Sequence, residues 1–144
     1  MIRPRKILFV ITDGGHARFV DYGAETESFV TIGNMDLNHA LQSPLLGDVL
    51  TVHSEGDQHI RGSEAHVREV HEAFAHAVSK SARTLASKGD FSEVFIAAPA
   101  RLLGLIRDDL AKQFQIAGTA SKDLTKVGDH DLAKWLKSAL FAAG

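Results

Sequence analysis

Histidines and carboxylates are the side chains in this sequence with the numbers to do chemistry, and their spacing limits what that chemistry is. His53, His59, His66, His71 and His76 form a dense run. The steps from His66 to His71 and from His71 to His76 are each five residues. Helical ligand pairs need i,i+3 or i,i+4 to share a face, so these histidines read as solvated surface residues and no metal site is expected. A two-metal nuclease needs several carboxylates converging at strand ends. Asp13 closes the apolar run Ile7 to Ile11, but the later run from Val94 ends in Ala97-Ala98-Pro99-Ala100, with no acid where a second ligand would sit. Asp13 therefore reads first as a turn residue. The chain has no cysteine, which removes thiolate metal sites, disulfides and Cys nucleophiles. It also has no Gly-x-Ser-x-Gly elbow, no Gly-x-Gly-x-x-Gly and no P-loop.

What remains is a group of charges that follow apolar runs. Asp13 ends the first run, Arg101 opens a helix after the Val94 run, and Lys122-Asp123 follows Gln115 to Ala120. If these runs are neighbouring strands, Asp13, Arg101, Lys122 and Asp123 meet at one edge of a sheet. Two readings fit them. One is a site for a small anionic ligand, with Arg101 placed where free helix amides also favour anions. The other is an ion-pair cluster that ties loops to the sheet.

The elements needed to position such a cluster can be read from periodicity. Ile7 to Thr12 is a continuous apolar run, as in a strand buried on both faces. Asp13-Gly14-Gly15 then suits the positive φ of a tight turn. His16 to Tyr22 and Glu25 to Ile32 read as two further strands of an antiparallel meander, the latter centred on Phe29 and Val30. Asn34 to Gly62 is a long loop of mixed composition, with mobility expected between His53 and Gly62. Ser63 to Ser87 is a helix capped by Ser63 and stopped by Gly89, with Val67, Val70, Phe74 and Val78 on its inner stripe. Val94 to Ala98 is a buried strand, and Pro99 suits the first turn of the helix after it. Leu103, Ile106 and Leu110 face inward there, and Gly104 in mid-helix suggests close approach to the sheet. Gln115 to Ala120 is a short strand. Asp129 is placed to cap a last helix with Leu132, Trp135, Leu136, Ala139 and Leu140 on one face. The order β-β-β-α-β-α-β-α describes an α/β protein with a mixed, ribonuclease-H-like sheet and right-handed crossovers.

A length of 144 residues suits a single domain, 1–144. A net charge of −2 disfavours a broadly basic nucleic-acid binder. Arg3, Arg5 and Lys6 before the Ile7 run imitate a signal peptide, but the run is short and ends at Thr12-Asp13 without a small-residue cleavage site. No stretch approaches the ~20 apolar residues of a membrane span, and a cytoplasmic location is expected.

The two best-marked segments also carry a family resemblance. Ile7 to Phe19, together with Val94-Phe95-Ile96-Ala97-Ala98-Pro99-Ala100-Arg101-Leu102-Leu103-Gly104-Leu105-Ile106-Arg107 and the later Lys122-Asp123-Leu124-Thr125, resembles the bacterial host-attachment family. That family is distantly similar to the middle domain of archaeal and eukaryotic class-1 peptide release factors. The resemblance implies the release-factor-like fold and a role in bacterial attachment to host cells, but it names no reaction and no cofactor. In the release factors a Gly-Gly-Gln loop precedes a long helix and promotes peptidyl-tRNA hydrolysis. Here Gly56-Asp57-Gln58 stands in that place, and Asp57 brings a carboxylate where RNA phosphates would repel it. The triplet therefore reads first as a polar loop. The residues favour a non-enzymatic binding or regulatory protein with a protein or small-anion partner. A ribosome-associated factor for peptide release or ribosome rescue, with the ribosome or tRNA as partner, is the alternative.

Overall fold

The computed structural model describes residues 6–23, 28–36 and 64–142, with side chains described over 6–23, 28–36 and 68–137. Five strands form one mixed sheet: β1 (Ile7–Thr12), β2 (His16–Gly23), β3 (Ser28–Asp36), β4 (Glu93–Ala97) and β5 (Gln115–Ala120). Their spatial order is β3-β2-β1-β4-β5. The meander β1-β2-β3 is antiparallel, whereas β1, β4 and β5 run parallel. Helices α1 (Glu64–Lys88), α2 (Ala100–Leu110) and α3 (Ala133–Ala142) complete the described chain, with a 3-10 turn at Asp129–Asp131 before α3. The fold is thus α/β with a mixed five-stranded sheet and three helices. No described helix is long and apolar enough to cross a membrane.

The two faces of the sheet sort by strand alternation. Leu8 and Val10 of β1, with Val94 and Ile96 of β4, pack under α1 and α2 against Phe74, Val78, Ile106 and Leu110. Their sequence neighbours Phe9, Ile11, Phe95 and Ala97 face the other way, onto Leu124, Leu132 and Leu136. A central strand covered on both faces has no solvent side, which is why β1 reads as an unbroken apolar run. Three rings fasten the α3 side: Phe9 meets Phe29 edge-on at a centroid distance of 5.3 Å and Phe95 at 5.5 Å.

Several expectations need correction. β3 continues to Asp36, so Asn34 to Asp36 belong to the sheet rather than to the long loop. The rest of that loop, the Ser63 cap, and the side chains of Val67, Ala139 and Leu140 lie outside the described residues. Phe29 is buried and Val30 exposed, as strand alternation on the edge strand β3 sets them on opposite faces. Trp135 is also exposed instead of facing inward, while Leu132 and Leu136 are fully buried. A Cβ at Gly104 would meet nothing within 4 Å, so no close helix-sheet approach explains that glycine. Pro99 is the N-cap, one residue before the first helical position. Asp129 caps nothing with its side chain; its carboxylate crosses to β3, as described below. Helix α1 ends at Lys88, just before Gly89, but the left-handed residue at its end is Asp90 (φ 57°) and not the glycine. Phe91 N donates to Ala86 O at 2.9 Å there, closing a Schellman-type end. Gly89 is needed for space instead, since a Cβ would fall 2.5 Å from the Phe91 ring.

Candidate functional site at the parallel strand ends

The site is built on the turn between β1 and β2. Thr12 is fully buried at the end of β1, and its hydroxyl donates to His16 O at 2.6 Å. Asp13 Oδ1 accepts the amides of Gly15 and His16 at 2.7 and 2.6 Å. This local carboxylate-to-backbone closure is what fits Asp to a turn start. Neither Gly14 nor Gly15 takes a positive φ, contrary to the expectation from sequence. Gly14 lets His71 come close: a Cβ there would lie 3.0 Å from Nε2 of His71.

Parallel pairing of β1 with β4, and of β4 with β5, then sets Asp13 beside the segments that leave β4 and β5. Ala98 N donates to Ala120 O at 3.0 Å, holding those two exits together. Thr125 joins the two acids. Its Oγ1 lies 2.5 Å from Asp123 Oδ1 and 3.3 Å from Asp13 Oδ2, so one hydroxyl proton serves two carboxylates. Thr125 N adds a 3.0 Å bond to Asp123 Oδ1. These two Thr125 bonds hold the Asp123 carboxyl below its usual range, against a smaller opposing effect of burial.

Arg101, exposed in the first turn of α2, reaches the same edge through His71. Its Nη2 sits 2.6 Å from His71 Nδ1. A guanidinium can only donate, so Nδ1 is the acceptor and His71 is neutral with its proton on Nε2. Burial is the main force lowering the His71 pKa below 6.5, the Arg101 charge adds to it, and Asp13 opposes both. Of the four residues expected to cluster, Asp13, Arg101 and Asp123 come to one edge, with His71 and Thr125 as the links. Lys122 leaves the group: its Nζ stacks over the Trp135 ring, 4.4 Å from the centroid.

His71 is the residue that sequence reasoning misplaced as a solvated histidine. It is partly buried, and it falls at i, i+3, i+7 with Phe74 and Val78, so the apolar stripe already put it at the margin of the inner face. His76, exposed one turn on, bonds Asp109 of α2 at 2.9 Å. Among the described residues no group of three or more His, Cys, Asp or Glu side chains could hold a metal ion. Gly56-Asp57-Gln58 lies outside the described residues.

Arg18 of β2 was also missed, because one arginine between Ala17 and Phe19 carries no pattern. It is 9% exposed and points to the α3 side. Nη1 donates to the carbonyls of Leu124 and Thr125, at 3.2 and 3.4 Å, and to that of Val127. Nη2 donates to Thr31 Oγ1 at 3.1 Å and to Asp129. Asp129 Oδ2 accepts Thr31 N at 3.0 Å. Burial pushes the Asp129 carboxyl up, but the bonds from Thr31 and Arg18 together outweigh it and leave the group below its ordinary value. The Arg18 fork therefore fixes the backbone of the segment whose Thr125 side chain ties Asp123 to Asp13. A cleft of about 290 Å³ opens beside it, between His16, Arg18, Asn34, Met35, Thr125 and Lys126.

A comparison with curated proteins returns no match. A family model does match: residues 8–136 fit the model described as protein required for attachment to host cells. That span runs from β1 to the first turn of α3 and includes every residue of the strand-end site, so the chain belongs to this host-attachment family.

Proposed function

We propose that this protein serves host-cell attachment as a binding or regulatory domain, not as a hydrolase, and that its ligand is an anion held at the strand-end site. The observation that carries the reading is Arg101. Its guanidinium is exposed beyond the carboxyl ends of the parallel strands, where open α/β sheets bind ligands. Among the described residues its one side-chain partner is the neutral ring of His71. One guanidinium N–H is engaged there, and among the described residues the exposed group has no other side-chain partner, which leaves a fork suited to planar or tetrahedral oxyanions. Asp13 supports a structural rather than a catalytic role, since both of its oxygens are taken by the turn amides and Thr125. The strand order β3-β2-β1-β4-β5 further supports a ribonuclease-H-like fold and the distant kinship with the release-factor middle domain.

Affinity capture of the tagged protein from cell lysate, with and without RNase, tests the class of partner. On this reading the retained material is insensitive to RNase, and Arg101→Ala reduces it. Ribosomes retained only while RNA is intact would favour the translational alternative. Purified protein with magnesium or manganese should also leave single- and double-stranded nucleic acid uncut; cleavage abolished by Asp13→Asn would overturn the non-catalytic reading.

A further inference from the structure

We propose that His71 is a proton-dependent second arm of the strand-end site: neutral, it holds Arg101 back, and protonated, it joins Arg101 in binding a tetrahedral oxyanion. This rests on the anion-binding reading of the same site and adds the ligand chemistry and its control. The geometry supplies the switch. At 2.6 Å the His71 Nδ1 to Arg101 Nη2 contact is a hydrogen bond only while Nδ1 carries a lone pair. A proton on Nδ1 sets donor against donor and cation against cation, so the contact turns from attractive to repulsive. Arg101 is exposed and free to move outward. The cost of two adjacent cations is then relieved by an anion between them, which accepts Nδ1–H from one side and the guanidinium fork from the other. A tetrahedral oxyanion has the several oxygens this needs.

The Nε2 side of the ring lies against Gly14, where an added Cβ would stand 3.0 Å from Nε2. The charged groups that reach His71 are Arg101 from α2 and Asp13 from the turn. Asp13 is pinned by the Gly15 and His16 amides, and His16 lies on its far side with Nδ1 3.7 Å from Asp13 Oδ1. Burial and Arg101 keep His71 neutral at pH 7 and place its protonation below pH 6.5. Whatever binds the protonated form must raise the pKa of the ring by linkage.

Sulfate is the suitable probe, since its charge does not change across this range. Imidazole NMR of His71 is followed through a pH titration of the whole protein, with and without sulfate, and sulfate affinity is measured at pH 5 and pH 7.5. The expected results are an upward shift of the His71 titration with sulfate and binding about tenfold or more tighter at pH 5. His71→Asn keeps a carbonyl to accept from Arg101 but cannot protonate, so its sulfate affinity should be the same at both pH values. If that variant does not fold, the wild-type His71 shift decides alone. Phenyl phosphate, run in parallel, separates a bare oxyanion from an ester: the site should take both. Binding of the ester alone would overturn oxyanion recognition. Arg101-dependent sulfate binding that is equal at pH 5 and 7.5 would refute the His71 switch and leave the site standing. Absence of sulfate binding at both pH values, or binding unchanged in Arg101→Ala, would refute the anion site itself.

Discussion

Replacing Arg18 by Met removes the guanidinium while keeping a long apolar stem of similar reach. Five acceptors lose a donor, the carbonyls of Leu124, Thr125 and Val127, the Thr31 hydroxyl and the Asp129 carboxylate, although Leu124 O keeps Val127 N and Asp129 keeps Thr31. Breaking a buried ion pair from one side costs about 3–5 kcal/mol. The lower end applies here, because the Asp129 side chain is 40% exposed and water can reach part of the gap. A loss of about 3 kcal/mol should lower the melting temperature by roughly 10 °C in a domain of this size. Arg18→Lys should recover little of it, since one ammonium cannot fork to both sets of acceptors. Hydrogen exchange at residues 124–128 should rise in step with the loss of stability. The same network predicts an acid limb. The Asp129 carboxyl titrates below its unfolded value of 3.8, so its contribution is whole above about pH 4 and disappears as pH falls through the lower folded value. Denaturant unfolding from pH 6 down to pH 2.5 should show this loss in the wild type and not in Asp129→Asn. An Arg18→Met variant within about 1 kcal/mol of wild type, with unchanged exchange at 124–128, would refute the clamp.

Phe74→Ala should cost about 3–5 kcal/mol in denaturant unfolding, because the ring is fully buried between α1 and the sheet. Gly104→Ala and Gly118→Ala should move in opposite directions. The first gains up to about 1 kcal/mol of helix propensity in open space. The second should lose about 1–3 kcal/mol, since its Cβ would fall 2.9 Å from the Phe95 ring. Asp90→Gly should stabilise by about 0.5–1 kcal/mol by relieving a left-handed non-glycine residue, as read by thermal melting.

How far the sequence could be read depended on whether the deciding force was local. β1, β4 and α1 were visible because burial on two faces, or on one helical stripe, prints directly as apolar periodicity. The meeting of Asp13, Arg101 and Asp123 followed from placing three apolar runs in one parallel set. What stayed hidden was set by distant partners. Asp129 looks like a helix cap from its neighbours, yet Arg18 and Thr31 offer it stronger partners across the sheet. Lys122 looks like part of the charge cluster, yet the exposed Trp135 ring takes it away. Gly14 packs against His71, a residue far away in sequence, a contact that turn chemistry alone could not show. Trp135 shows the same limit: its apolar type did not decide its burial, since it stays half-exposed with the Lys122 ammonium over its ring.

If the Arg101 site is what this protein uses in attachment, removing the guanidinium should remove adhesion. Cells whose own copy carries Arg101→Ala would be scored for adhesion to host cells against wild type, at matched protein level and with the purified variant shown to melt as the wild type does. Adhesion should fall to the level of cells lacking the protein. Adhesion equal to wild type from a folded, normally abundant Arg101→Ala protein would contradict it.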